Sequence, residues 1–149
     1  MTFNKVYPNQ ELRALSWKQP YATMMLHGKV ETRTWPTDYR GWVLICASKK
    51  PYTLEEVVKI SGAGYTNNML PKLIGKKFHE QFNGHAIAVG YLQHCERMLS
   101  IFNDTYVKYK PGLFLHHYAS VQAIHPIPWT GTQGWKTVSD EFKDQIILL

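Results

Sequence analysis

The chain has 149 residues, of which 17 are Lys or Arg and 11 are Asp or Glu, so its formal charge at neutral pH is +6. An apolar content of 44% is enough for a packed core, which argues against a disordered chain. No apolar run approaches the length that crosses a bilayer, and the first residues are polar, so we expect one cytoplasmic domain over residues 1–149 and no membrane partner.

The basic residues are concentrated in one part of the chain, residues 13–50. This segment holds seven basic residues against two acidic ones, Glu31 and Asp38. Such a local excess favours a nucleotide or a nucleic acid as partner, although solvated basic faces are common. The basic residues are Arg13, Lys18, Lys29, Arg33, Arg40, Lys49 and Lys50.

The first predicted elements are a strand, a short helix and a second strand. Alternating apolar residues predict a strand over 12–17. Pro20 is tolerated in the first turn of a helix, and we expect that helix to continue to His27 and to end at Gly28. The polar run 29–35 is the next strand candidate.

The middle of the chain predicts a buried strand and two helices. Residues 35–41 have the composition of a turn, and the apolar run 42–47 that follows predicts a buried strand. Thr53–Glu56 has the form of a capping box and predicts a helix over 54–61. Apolar residues at helical spacing predict another helix over 71–82.

The last third of the chain predicts mainly strands. High β propensity indicates strands over 85–92, 113–118 and 120–124, and Ser139 precedes a short terminal helix. The fold class expected is therefore α+β, with about five or six short strands forming a small barrel-like sheet and two or three helices.

The most informative motif is the polar run after Gly28. In a strand, Lys29, Glu31, Arg33 and Trp35 share one face, because successive side chains point to opposite sides. Two cations, a carboxylate and an indole suit a phosphate, a base or a nucleoside. They do not suit the inside of an apolar core.

The cysteines and histidines predict no metal or cofactor site. Cys46 and Cys95 have no metal or redox spacing, and Cys46 lies in an apolar run where a buried thiol is expected. The seven histidines are irregularly spaced, and His116 and His117 point to opposite faces of a strand. We therefore expect neither a metal nor a cofactor.

Four segments in order along the chain resemble the ASCH (activating-signal-cointegrator homology) family of the PUA-like superfamily. The run Gly28-Lys29-Val30-Glu31-Thr32-Arg33-Thr34-Trp35 resembles its central signature; it is two residues shorter, but Glu31 and Arg33 keep their spacing. The other segments are residues 14–22, 39–41 with 44–48, and 126–128 with 131–135.

The resemblance implies a PUA-like pseudo-barrel with a cleft beside the first helix that holds RNA or a nucleoside. Some members resemble hydrolases that remove the acyl group from acetylated cytidine with a lysine, a threonine and a glutamate. Others are similar to ribonucleases or to the nucleic-acid-binding parts of transcriptional coactivators. The family leaves catalysis and binding both open.

Our leading hypothesis is a module that binds RNA, single-stranded nucleic acid or a modified nucleoside. Arg33, Lys29 and Lys18 would meet phosphates or base edges, Glu31 would accept from an amine, and Trp35 would stack on a base. An exposed ion pair of Glu31 with Arg33 is the plainer interpretation.

Two later segments add candidates for the same cleft. Tyr39 and Arg40 lie in the turn before the buried strand and are candidate phosphate contacts, although Tyr39 could simply brace that turn. Gln133 and Trp135 lie in a glycine-flanked loop, which allows a tight path that brings both side chains to the barrel rim.

Two other function classes stay open. An amidohydrolase or ribonuclease would use Lys29 and Glu31 as acid and base, but Thr32 and Thr34 alternate away from Glu31, and Thr23 is a weaker substitute. A protein-interaction module would instead expose an apolar surface around Trp129 and Tyr118.

Overall fold

The computed structural model describes residues 1–50, 82–100, 105, 107, 109–131 and 133–149. These residues form one curled, half-barrel sheet of six strands with three short helices, so the predicted mixed α+β fold is confirmed. The elements are α1 (Phe3–Val6), β1 (Leu12–Trp17), α2 (Tyr21–Met25), β2 (Glu31–Arg33), β3 (Gly41–Ala47), β4 (His85–Arg97), β5 (Phe114–Pro128), β6 (Lys136–Thr137) and α3 (Asp140–Lys143).

The strands are arranged in the order β2-β5-β4-β3-β1-β6. β1 and β3 run parallel, from Leu12 opposite Trp42 to Trp17 opposite Ala47, and the other neighbouring strands are antiparallel. The carboxyl ends of β1 and β3 therefore reach the same edge of the sheet, and the residues after them come close together.

The central strand β3 is buried on both faces, because its side chains alternate between two apolar clusters. Trp42 and Leu44 pack on one face with Phe3 of α1. Val43 and Ile45 pack on the other face with residues of β1 and α2. Burial on both faces explains why residues 42–47 are all apolar instead of alternating between apolar and polar.

The predictions for the first strand, the helix and the third strand are confirmed, with small changes at their ends. The strands over 12–17 and 42–47 correspond to β1 and to β3, which begins at Gly41. The helix α2 is one turn shorter than expected, and Gly28 adopts a φ of +91° in the turn that follows it. A positive φ is the conformation that favours glycine after a helix.

The prediction of a strand over 29–35 is wrong in its extent, because β2 holds three residues. The amide of Lys29 still donates to the Met24 carbonyl of the preceding helix, at 3.2 Å. At the other end, the Trp35 carbonyl accepts from His116 Nε2, at 2.9 Å, outside any strand pairing.

The later strands are longer than predicted. β4 continues to Arg97, and the two strands expected over 113–118 and 120–124 are parts of one strand, β5. Ser120 has a φ of +53°, and the β4–β5 register shifts three times. The break between the two predicted strands, at residue 119, is therefore a local irregularity that bends one continuous strand.

Both chain ends contribute elements around this sheet. The terminal helix is confirmed as α3, where Ser139 Oγ accepts from the Phe142 amide at 3.1 Å. α1 and β6 were not predicted. The Phe3 amide donates to the Ile146 carbonyl at 2.8 Å, which joins the two ends of the chain.

Two predicted helices cannot be compared with the structure. The helix over 54–61 lies outside the described residues, as does all but the last residue of the helix over 71–82. None of the helices in the described part of the chain has the length and apolar character needed to cross a membrane.

The segment after β5 returns over the end of β1. The Trp129 amide donates to the Gly84 carbonyl at 2.9 Å, and Gly131 then lies against Ser16 so closely that an added Cβ would overlap the Ser16 hydroxyl. Glycine therefore allows a close approach that brings residues 129–131 to the end of β1.

Replacing Gly131 by alanine tests the close contact between Gly131 and Ser16. We expect Gly131→Ala to lower the free energy of unfolding by about 1–3 kcal/mol, because the added methyl group is overpacked against Ser16. Ser16→Ala in the same chain should restore most of the loss, as measured by urea denaturation of the two single variants and the double variant. An unchanged loss in the double variant would contradict the proposed contact.

Candidate functional site

The centre of the candidate site is a buried chain of three charged side chains. Lys29 Nζ lies 3.0 Å from Glu31 Oε1, and Arg33 Nη2 lies 3.0 Å from Glu31 Oε2. The side chain of Lys29 is fully buried and that of Glu31 is 7% exposed. The shared face predicted for these three residues thus brings them into direct contact.

Further hydrogen bonds fix this group. Lys29 Nζ also donates to the Val30 carbonyl at 3.1 Å, and the Thr32 amide donates to Glu31 Oε1 at 3.1 Å. β2 pairs with β5, where Glu31 lies opposite His116. Both carboxylate oxygens of Glu31 are therefore engaged, which orients the side chain.

The pKa values follow from burial and from neighbouring charge. Burial lowers the pKa of Lys29, and the attraction of Glu31 offsets this only in part. Burial alone would raise the pKa of Glu31, but the charges of Lys29 and Arg33 together hold that pKa below its ordinary value. Glu31 is therefore a carboxylate at neutral pH.

Arg33 connects this ion-pair group to the aromatic residues around it. Its guanidinium carbon lies 5.0 Å from the Trp17 ring centroid and 5.8 Å from that of Trp35. Nη2 also donates to the Ser16 carbonyl at 3.2 Å, which ties β2 to the end of β1. The guanidinium is thereby held between two indoles, a geometry that suits Arg better than Lys.

A smaller cavity of about 280 Å³ opens beside α2. Three cations and one carboxylate line it, from Lys18, Lys29, Arg33 and Glu31, together with the rings of Trp17 and Tyr21. Four predicted ligand-binding residues therefore meet in one cavity, at the position expected for a cleft beside the first helix.

A larger cavity of about 630 Å³ also includes Arg33 in its wall. The rest of the wall comes from the ends of β1 and β3 and from residues 129–131 and 133–134. Trp35 and Gln133 of the predicted set line it. The polar and aromatic lining residues that sequence reasoning did not assign to a cleft are Ser16, Ser48, Lys49, Trp129 and Thr130.

The larger cavity depends on contacts between distant segments. The parallel pairing of β1 with β3 places Ser16 beside the segment that ends β3, and alternation along one strand carries no signal for that pairing. Of the wall residues that follow β5, Gln133 in its glycine-flanked loop is the one that the sequence did indicate.

Buried polar atoms without hydrogen-bond partners concentrate around Arg33. Within the described residues, five buried side-chain polar atoms have no partner. Four of them belong to this region: Trp17 Nε1, Arg33 Nε, His116 Nδ1 and Tyr118 Oη. Native proteins leave few such groups unpaired, so this cluster marks a place where ordered water or a polar ligand completes the hydrogen bonds.

His116 and Tyr118 belong to this region through β5. His116 packs edge-on against Trp35, with ring centroids 5.2 Å apart, and Tyr118 packs against Trp17 at 5.9 Å. Burial lowers the pKa of His116 and raises that of Tyr118. Both groups are therefore uncharged near neutral pH, and neither was singled out as a ligand contact from the sequence.

Three predicted ligand-binding residues line neither cavity. Trp135 packs against Trp35 at 6.0 Å and against Tyr39 at 5.3 Å. Tyr39 donates its hydroxyl to the Trp42 carbonyl at 2.7 Å, and burial raises its pKa to about 12. Arg40 is exposed and donates to two carbonyls of its own turn. Tyr39 thus braces the turn, which was the alternative considered for it.

The two threonines nearest to the ion pairs lie in β2 and in α2. Thr32 contributes to the wall of the smaller cavity, together with Lys29 and Glu31. It is the middle residue of β2 and pairs with Leu115, so the alternation predicted along this strand is not contradicted. Thr23 is buried in α2, where its Oγ1 accepts from Gln19 Nε2 at 2.9 Å.

Trp129 and Tyr118 do not form an exposed apolar surface. Trp129 is half-buried against Phe142, with ring centroids 4.9 Å apart, and Lys136 Nζ lies 5.1 Å from its centroid. The hydroxyl of Tyr118 is buried. The feature expected of a protein-interaction module at these residues is therefore not present.

Charge removal at Glu31 tests the buried ion pairs. Glu31→Gln leaves Lys29 and Arg33 without a counter-ion, so we expect the free energy of unfolding at pH 7 to fall by about 3–5 kcal/mol. Because folding lowers the pKa of Glu31, its stabilisation is complete above the unfolded pKa of about 4.3 and is lost as the pH falls through the folded value. The difference in the free energy of unfolding between the wild-type chain and Glu31→Gln should therefore become smaller in acid.

The matched control is Glu11→Gln, which removes an exposed partner of Arg13 at 2.8 Å. That pair is exposed to solvent, so we expect a change of at most about 1 kcal/mol. Urea denaturation from pH 7 to pH 3 measures both variants. If the difference in the free energy of unfolding between the wild-type chain and Glu31→Gln stays constant over this range, Glu31 is not the charged group assigned here.

Comparisons with known proteins do not name a family for this chain. A scan against protein-family models gives no match, and a search of curated proteins finds no similar sequence.

Proposed function

We propose that this chain is a nucleic-acid-binding module with an ASCH-like, PUA-like pseudo-barrel, which holds RNA, single-stranded nucleic acid or a modified nucleoside. The observation that carries the proposal is the Arg33 guanidinium, held between the Trp17 and Trp35 indoles where two cavities meet. Guanidinium and indole groups side by side suit the phosphate and the flat base of a nucleotide.

The charges and hydrogen-bond donors around Arg33 support the same ligand class. Lys18, Lys29 and Arg33 outnumber the single carboxylate in the smaller cavity. The unpartnered donors Trp17 Nε1 and Arg33 Nε lie in the same region, and a phosphate, sugar or base oxygen would satisfy them. Lys29 itself is enclosed by its internal bonds, so it would orient Glu31 rather than meet a phosphate in solvent.

Binding of single-stranded RNA provides the test. We expect the affinity for a mixed pool of short RNAs to fall with salt, with a logarithmic slope of about −0.7 for each phosphate contact. Lys18→Ala should make this slope shallower. Trp35→Ala should weaken binding by about 1–3 kcal/mol, because a stacked base is lost. Fluorescence anisotropy at several salt concentrations measures both effects.

Two controls separate this site from general attraction. Lys5 of α1 and the exposed Tyr109 line neither cavity, so Lys5→Ala and Tyr109→Ala should leave the affinity and the slope unchanged. Weak binding that is insensitive to salt would contradict the proposed function. If Lys5→Ala and Tyr109→Ala lower the affinity for RNA as much as Lys18→Ala and Trp35→Ala do, RNA binds at another surface.

A hydrolase is the second candidate, favoured by one observation. The Lys29 amine and the Glu31 carboxylate are 3.0 Å apart in the smaller cavity, and Thr32 contributes to its wall. This combination matches the residue types of the acylcytidine hydrolases that the central signature resembles. Burial also lowers the pKa of Lys29, which favours a neutral amine as a base.

Incubation of the chain with acetylated cytidine and with labelled RNA tests this candidate. If the chain is a hydrolase, we expect turnover to fall by about 100-fold or more in Lys29→Met and in Glu31→Gln, because each removes a proton-transfer group. Lys50→Ala leaves both groups in place, lines neither cavity and serves as the comparison. Absence of turnover at high protein concentration would reject catalysis and leave the binding proposal standing.

A further inference from the structure

Arg33 belongs to the walls of both cavities. One of its two indole neighbours, Trp17, lines the smaller cavity, and the other, Trp35, lines the larger one. Its Nη2 is held by the Glu31 carboxylate and by the Ser16 carbonyl. The guanidinium is therefore a fixed cationic group at the junction, with an aromatic residue on each side.

The larger cavity has its own chemistry for a nucleotide. Its charged side chains, Arg33 and Lys49, are both cationic, and no carboxylate is among the described residues that line it. Hydroxyl groups of Ser16 and Ser48 belong to residues of the same wall, and Gln133 adds an amide that can both donate and accept. This set suits a phosphate and a base edge together.

The two volumes limit what each cavity can hold. The larger cavity, at about 630 Å³, is within the range of about 300–1,000 Å³ that is typical of ligand pockets, whereas the smaller one, at about 280 Å³, is just below it. The smaller cavity can enclose one compact polar group. A longer ligand must pass Arg33 and continue into the larger cavity.

A buried donor in the smaller cavity indicates that the cavity takes a polar group. Trp17 is 2% exposed and lines this cavity, and among the residues that the structure describes its Nε1–H has no acceptor. At the junction, Arg33 Nε is likewise buried and has no partner within the same residues. Both atoms are donors, so a ligand that spans the junction should present acceptor oxygens on both sides.

We propose that the two cavities are consecutive subsites for one single-stranded oligonucleotide, with the base of one nucleotide in the smaller cavity, the next nucleotide in the larger cavity and the connecting phosphodiester at Arg33. This inference rests on the proposed function and narrows it, because the preferred ligand is a chain of at least two nucleotides rather than a free nucleoside. Lys49 then contacts the nucleotide in the larger cavity.

The experiment compares the four ribonucleoside 5′-monophosphates with the four corresponding 5′-phosphorylated homodinucleotides, which carry one additional phosphate, on the full chain. Calorimetric titration at low salt should show each dinucleotide binding about fivefold to hundredfold more tightly than its mononucleotide, because a second base and a linking phosphate are engaged. The logarithmic salt slope for the dinucleotide should be steeper by about 0.7.

Adjacent lysines provide matched variants. Lys49→Ala should weaken both ligands and make both salt slopes shallower by about 0.7, because a single nucleotide fits the larger cavity. Lys18→Ala in the smaller cavity should weaken the dinucleotide, while mononucleotide affinity stays within about twofold. Lys50 is next in the chain but lines neither cavity, so Lys50→Ala should change neither ligand. Gln133→Ala repeats the test without removing a charge, and it replaces Lys49→Ala if that variant does not fold.

The outcomes distinguish this inference from the proposed function. If mononucleotides and dinucleotides bind equally well, or if Lys18→Ala weakens both alike, the two-subsite arrangement is wrong and nucleotide binding itself stands. If none of the eight ligands and no RNA binds, the proposed function and this inference fail together.

Discussion

The candidate site depends on one buried carboxylate. Glu31 is held between Lys29 and Arg33 at 3.0 Å on each side, in a place where neither cation could be enclosed alone. Its two oxygens fix the Lys29 amine below α2 and the Arg33 guanidinium at the end of β1. β2 has only three residues, so its pairing with β5 is short. The two ion pairs and the hydrogen bond from Arg33 to the Ser16 carbonyl therefore contribute much of the orientation of β2.

The same arrangement explains why charged groups are tolerated so close to the core. Trp17 belongs to an apolar cluster with residues of β3 and α2, yet it also lines the smaller cavity and lies beside Arg33. The indoles shield the guanidinium from water and lower the local dielectric, which strengthens its attraction to Glu31. The protein thus carries a polar site on the inner wall of a sheet that is otherwise packed with apolar side chains.

Local sequence patterns predicted those parts of the fold that depend on neighbouring residues. β1, β3 and the ends of α2 follow from periodicity and from Gly28, and the contact among Lys29, Glu31 and Arg33 follows from a two-residue spacing. The larger cavity could not be predicted in this way, because it requires β1 beside β3 and the loop after β5 folded back onto Ser16. The continuation of β5 through Ser120 likewise depends on the pairing of Ala119 and Gln122, on either side of it, with β4.

The positions of the tryptophans have a practical consequence. Of the five in the chain, Trp17, Trp35 and Trp129 line the two cavities, Trp135 packs on Trp35, and Trp42 lies in the apolar cluster on the opposite face of the sheet. The intrinsic ultraviolet emission of this protein therefore comes mainly from the walls of the site and their immediate neighbour. A ligand bound in either cavity would lie beside at least one indole, so tryptophan fluorescence can be used to follow its binding without an attached dye.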